Sequence, residues 1–213
     1  LALKQKIEFF IPRFKTAIIN SRTARDNQTV NSRHHSEHTR KARLYISHFL
    51  QVLNLTILRG ELKPAARAYY GLPETDARLP PLVAEQDLVA WGEKLIHGEQ
   101  ERTLRGGTPI YSPSIALVRV NFEKFKQASI AQKQFQQSAA RYSAELARYR
   151  ADADALVLDL WNDIEKSFDN IPDENQRRAR CEQYGITYVY RKGEREKHLE
   201  QQEMERINPR LPF

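Results

Sequence analysis

The sequence predicts an all-α protein built as an antiparallel helical bundle, and three observations carry that expectation. Proline and glycine, the residues that open, break and end helices, are absent between Pro12 and Gly60 and again between Pro113 and Pro172. Inside both stretches apolar residues recur at three- and four-residue steps, the period of a helix face. Strand-like alternation is confined to a short segment at 186–190, where Ile186, Tyr188 and Tyr190 alternate with Thr187 and Val189.

Taken in order, Pro12 is expected near the start of a first helix, since a missing N–H costs nothing in the first turn. The polar run Asp26-Asn27-Gln28-Thr29-Val30-Asn31-Ser32 competes for backbone hydrogen bonds and predicts one break, with Asn31 or Ser32 as the N-cap of a second helix. That second helix carries Leu44, Ile46, Phe49, Leu50, Leu53, Ile57 and Leu58 on one face. Leu72 to Leu82, with Pro73, Pro80 and Pro81, reads as a wrapping loop. A short amphipathic helix follows with Leu88, Trp91, Gly92, Leu95 and Ile96, starting near Gln86 or Asp87, and Arg105-Gly106-Gly107-Thr108-Pro109 is a turn.

The stretch after Pro113 admits two readings. Ile115, Val118, Phe122, Phe125 and Ala128, then Phe135, Ala139, Tyr142, Leu146, Tyr149, Ala153, Leu156 and Leu160, keep a heptad-like stripe. One continuous helix over 114–168 would run about 80 Å. Two antiparallel helices joined by a polar turn near 129–138 would bury the same stripes in less length. The hairpin is the expectation, because so long a stripe needs an equally long partner.

The two halves echo each other. A long helix leads to Leu62-Lys63-Pro64 and then Tyr69-Tyr70-Gly71-Leu72; another leads to Asn170-Ile171-Pro172-Asp173 and then Gln183-Tyr184-Gly185-Ile186. In each, Pro opens a short helix and Gly takes the left-handed position that ends it. Four main helices from two similar hairpins, 12–72 and 113–186, joined by 73–112, therefore make one domain over 1–193, followed by a charged tail at 194–213.

Composition narrows the class further. The 213 residues include 34 Lys plus Arg, 27 Asp plus Glu, one Cys and two Trp, for a net charge of +7; mean hydropathy is −0.67. No apolar run reaches the roughly 18 residues of a membrane helix. A single cysteine, Cys181, cannot form an internal disulfide framework or a structural zinc site, and a reducing cytoplasm is its default compartment. Leu1 to Asn20 interleaves Lys4, Lys6, Glu8, Arg13 and Lys15 with apolar residues, unlike a secretory signal.

The charge is strongly asymmetric. Residues 1–43 hold ten basic groups and three acids, so the other 170 residues balance at 24 of each. Arg22, Arg25, Arg33, His34, His38, Arg40, Lys41 and Arg43 form a candidate surface for an anionic partner, a nonspecific nucleic acid or an acidic protein face. The plain alternative is a solvated helix face.

The segments Leu88-Val89-Ala90-Trp91, Thr108-Pro109, Leu160-Trp161-Asn162-Asp163-Ile164-Glu165 and Glu182-Gln183-Tyr184-Gly185-Ile186-Thr187-Tyr188-Val189-Tyr190 resemble uncharacterised small α-helical proteins of Bacteroidota-type bacteria. The resemblance spans about half to two-thirds of the chain. It implies a helical fold and carries no activity, ligand or site with it.

Candidate chemistry is sparse. His34 and His38 lie one helical turn apart and could share a metal ion, but a third ligand is wanting, Glu37 does not follow the first histidine, and Arg33, Arg40 and Lys41 repel a cation. The Glu-x-x-His pairs of di-metal bundles are absent, and Asp152, Asp154, Asp159, Asp163 and Glu165 read as a solvated acidic face. Cys181, beside Arg178 and Arg180, reads as a small buried helix residue before it reads as a nucleophile. Arg105-Gly106-Gly107-Thr108 lacks the lysine and strand of a phosphate loop. No catalytic, cofactor or metal residue is therefore assigned. The expectation is a non-enzymatic structural or assembly protein that associates with itself or another protein. In the homo-oligomeric form, the basic N-terminal helix of one copy meets the acidic 152–165 face of another. A nucleic-acid-associated accessory role is the alternative.

Overall fold

The structure, a computed structural model, describes residues 2–189 together with Gly193, Glu200, Glu203 and Met204. Its elements are α1 (Ala2–Leu58), a 3-10 helix (Pro64–Tyr70), α2 (Glu85–Leu104), α3 (Ile115–Ser167) and α4 (Glu174–Glu182). The fold is all-α: among the described residues there is no strand, only an isolated bridge between Tyr111 and Ser114. No helix there is long and apolar enough to cross a membrane. The chain divides into two compact units, residues 13–147 and residues 1–12 with 148–213.

Both expected breaks in the long helices are missing. Helix α1 runs through 26–32 because its polar side chains bond back to the helix rather than against it. The Thr29 hydroxyl donates to the Arg25 carbonyl and the Asn31 amide to the Asn27 carbonyl, each at 3.0 Å. Ser32, expected as an N-cap, instead accepts a 2.7 Å hydrogen bond from Gln132 of α3. Helix α3 likewise runs through 129–138, a segment of Ala, Gln, Lys and Ser with Ile130 and Phe135 and no Pro or Gly, so no turn forms. The expected hairpins are therefore replaced by one long helix per half. Within the 13–147 unit, the partner for that stripe is α1, which does not break either.

Pro12 also departs from expectation, lying inside α1 rather than at its start. An interior proline removes one backbone bond. The turns before it are held by packing within their own unit, where Phe10 meets Tyr149 with ring centroids 6.0 Å apart.

In the 13–147 unit α1 and α3 run antiparallel: Ser32 meets Gln132, and His35 stacks on Phe125 seven residues earlier in α3, at 6.2 Å. One end of the pair is a true core. Ile46, Phe49, Leu50 and Leu53 of α1 pack with Tyr70, with Leu88 and Leu95 of α2, and with Val118, Phe122 and Phe125 of α3. The other end is lined by small or polar residues. Ala17, Ser21 and Ala24 are buried, and Ser21, Arg25 and Gln28 face Gln136, Ala139, Ala140 and Ser143 across a groove of about 290 Å³.

Helix α2 begins and lies as the sequence predicts, with Glu85 and Asp87 in its first turn facing the positive end of the helix dipole. Gly98 allows the 3-10 helix to approach: a Cβ there would lie 2.4 Å from the Tyr69 carbonyl oxygen. Gly71 ends the 3-10 helix with φ +67°, the left-handed turn expected of it.

In the unit of 1–12 and 148–213, Asp173 caps α4 by accepting from the Asn175 N–H at 2.9 Å. Residues 186–189 form neither helix nor strand; Ile186 is buried and Tyr188 half-buried, while Thr187 and Val189 are exposed. Tyr190, the rest of that predicted segment, and the predicted tail at 194–213, apart from Glu200, Glu203 and Met204, lie outside the described residues.

Candidate functional site

All eight residues of the expected anion-facing surface lie on α1, within the 13–147 unit. At about 100° per residue, Arg22, Arg33 and Arg40 fall within about 20° of one line, and Lys15 extends that line one heptad earlier. The four are exposed, on the side of the helix away from Ala17, Ala24, Ala42 and Ile46. Arg25 is exposed to one side of the line.

The other four residues are not brought into it. Arg43 is engaged elsewhere, donating to the Leu82 carbonyl at 2.8 Å and the Val83 carbonyl at 2.9 Å, and so ties the proline-rich loop to α1. Lys41 pairs with Glu37 at 2.7 Å, and its hydrogen bond and charge hold the Glu37 carboxyl below the ordinary glutamate range. His34 is exposed and His38 half-buried, around the helix from the arginine line. The histidine used for packing is His35, whose Nε2 lies 3.1 Å from Glu85 Oε1 at the start of α2. Ser129 of α3 donates to the other oxygen of that carboxylate at 3.2 Å, so one glutamate joins three helices.

The most concentrated polar chemistry lies in residues that sequence reasoning missed. Glu99 and Arg102 of α2 and Tyr70 are all buried. Arg102 Nη2 donates to Glu99 Oε1 and Nε to Oε2, each at 2.8 Å. The Tyr70 hydroxyl donates to Glu99 Oε2. Glu99 Oε1 also accepts the Ile110 N–H at 2.9 Å, and Arg102 Nη2 donates to the Thr108 carbonyl at 2.8 Å. Burial first, and the adjacent Glu99 carboxylate second, push the Tyr70 phenol far above the ordinary tyrosine range, so it stays a donor. Burial works against the Arg102 charge, but the Glu99 and Tyr70 oxygens outweigh it and keep the guanidinium above its ordinary value.

A signal for this network was present. Leu88, Gly92, Leu95, Glu99 and Arg102 continue one stripe at steps of four, three, four and three, so two charged residues occupy core positions. Charges at such positions are tolerated only when paired. The arrangement is closed to solvent and directs hydrogen bonds to the 108–110 backbone, so it clamps that loop to α2.

That loop floors a cleft of about 430 Å³, walled by Val52, Thr56 and Leu62 and rimmed by Tyr111 and Arg59. Arg59 is neutralised by Glu61 at 3.1 Å. Among the described residues no three His, Cys, Asp or Glu side chains group as metal ligands.

The acidic residues of the other unit separate in the same way as the basic ones. Asp152, Asp159 and Asp163 lie within about 40° of one line on α3, and all three are exposed. Asp154 and Glu165 point away from it, and Glu165 accepts from Tyr188 at 2.9 Å. Cys181 is buried beside Tyr188. No protein-family model matches the chain, and no curated protein or solved structure matches it significantly.

Proposed function

We propose that the protein is a non-enzymatic assembly protein that associates with copies of itself through the outward faces of its two long helices. The observation that carries this reading is the mismatch between exposed apolar surface and core in the unit of 1–12 and 148–213. Its buried side chains, among the described residues, are Cys181 and Ile186, while Val157, Leu158, Leu160 and Trp161 of α3 remain exposed. Apolar groups clustered on a surface mark contact sites. The polar groups with the strongest mutual chemistry support the reading from the other side, because Tyr70, Glu99 and Arg102 are consumed in holding a loop. The lone thiol, Cys181, suits a reducing cytoplasm as the place of action.

The test is the mass of the protein by light scattering over a range of concentrations, at low salt and at about 0.5 M salt, where screening shortens to a few ångströms. The reading expects a mass above the monomer that grows with concentration. A monomer under every condition would overturn it.

A nucleic-acid-associated role is the second reading, supported by Arg22, Arg25, Arg33 and Arg40 standing exposed on one stretch of helix. Asp26 and Glu37 interrupt that stretch and weaken its pull on phosphates. Fluorescence anisotropy with random duplex and single strands distinguishes the readings: binding that falls steeply with salt supports the nucleic-acid role, and no binding at micromolar protein removes it.

A further inference from the structure

Two charged lines of opposite sign, one on each long helix, share a spacing. On α1, Arg22 and Arg33 are eleven residues apart; on α3, Asp152 and Asp163 are eleven residues apart. Eleven residues are three turns and a fraction, so both pairs return to nearly the same face about 16.5 Å further along the axis. All four side chains are exposed. Among the described residues, none of them forms an ion pair within the chain. Some surface charges are matched locally, as Lys41 is by Glu37 and Arg105 by Glu101, whereas these four are not. Asp26 and Glu37 lie one turn beyond Arg22 and Arg33 without pairing with them, so each line keeps its own sign on a continuous helix.

We infer that α1 of one copy docks against α3 of a second copy with Arg22 opposite Asp152 and Arg33 opposite Asp163, the two helices parallel. The orientation follows from Asp159. In the parallel register it falls level with Thr29, whereas an antiparallel register pairing the same four residues would place it level with Asp26, carboxylate against carboxylate. The contact is between different surfaces of the two copies, so each copy keeps one unused line of each sign. Association then either closes into a ring or a two-fold pair, or continues copy by copy.

This inference rests on the self-assembly reading above, and the test separates the two. Three variants of the full chain are compared with the natural sequence by sedimentation velocity: R22E/R33E, D152K/D163K, and all four changes in one chain. Circular dichroism of each establishes that the exposed substitutions leave the helices intact. The natural chain is expected to associate at low salt and to weaken about tenfold or more at about 0.5 M salt, as exposed ion pairs do. Each two-site reversal is expected to be monomeric, and the four-site variant to associate again, because its charges are exchanged rather than lost. If the natural chain associates but neither reversal disrupts it, this surface is wrong while self-assembly stands. If the reversals disrupt association but the four-site chain fails to regain it, the Arg22–Asp152 and Arg33–Asp163 pairing is wrong. If the natural chain never associates, both readings fall.

Discussion

At the scale of single residues, the dominant device is the buried set of Tyr70, Glu99 and Arg102. Its value lies in how fully the carboxylate is satisfied: Glu99 accepts from Arg102, from Tyr70 and from the Ile110 N–H, while Arg102 Nη1 is buried without a partner. Removing one charge strands the other in the core, which costs about 3–5 kcal/mol, whereas removing both into apolar side chains is far milder. Arg102→Met is therefore expected to lower the unfolding free energy by about that amount. Glu99→Leu combined with Arg102→Met is expected to regain a large part of it. Urea denaturation of the single and double variants checks this, and a double variant as unstable as the single would contradict it. These residues were legible in principle, since charges at seam positions of α2 announce a buried pair. Tyr70 was not, because its contact depends on Gly98 letting the 3-10 helix lie against α2, an approach that no local pattern encodes.

At the scale of elements, the sequence placed α2, the left-handed Gly71 turn and the Pro64-opened short helix well, because each rests on a local steric rule, whereas Pro172 lies just before the Asp173 cap of α4 rather than in its first turn. It misplaced the continuity of α1 and α3. Polar residues at 26–32 suit a turn and suit a helix whose side chains bond back to carbonyls four residues earlier, and only the neighbouring helix decides between them. Ser32 meeting Gln132 is such a decision, made by a residue one hundred positions away. The consequence is uneven stability along one helix pair. The stretch around 42–53 is anchored by Ile46, Phe49, Leu50 and Leu53, while the stretch around 17–32 rests on Ala17, Ser21 and Ala24. Burial of a large apolar side chain is worth about 1.5–3 kcal/mol, and alanine or serine supplies a fraction of that. Amide hydrogen exchange at neutral pH is accordingly expected to be slower by at least about tenfold at 46–53 than at 18–28. Equal protection of the two stretches would show that the small-residue seam is as tight as the core.

At the scale of the whole molecule, the expected basic surface proved to be two things. Arg43 and Lys41 serve the chain's own structure, whereas Arg22, Arg33 and Arg40 form an exposed line with no ion pair inside the described residues. Composition located the excess charge at the N-terminal end, but only the unbroken helix shows which groups share a face. The central claim is that opposite charge lines on two rigid helices bring copies together, and mixing two charge variants tests it most directly. The R22E/R33E chain keeps its acidic line and the D152K/D163K chain keeps its basic line, so neither can pair with itself but each complements the other. Native mass spectrometry at low salt is expected to find monomers of each alone and a one-to-one complex of the two on mixing. Two populations of monomers in the mixture, or self-association by either variant alone, would contradict the account.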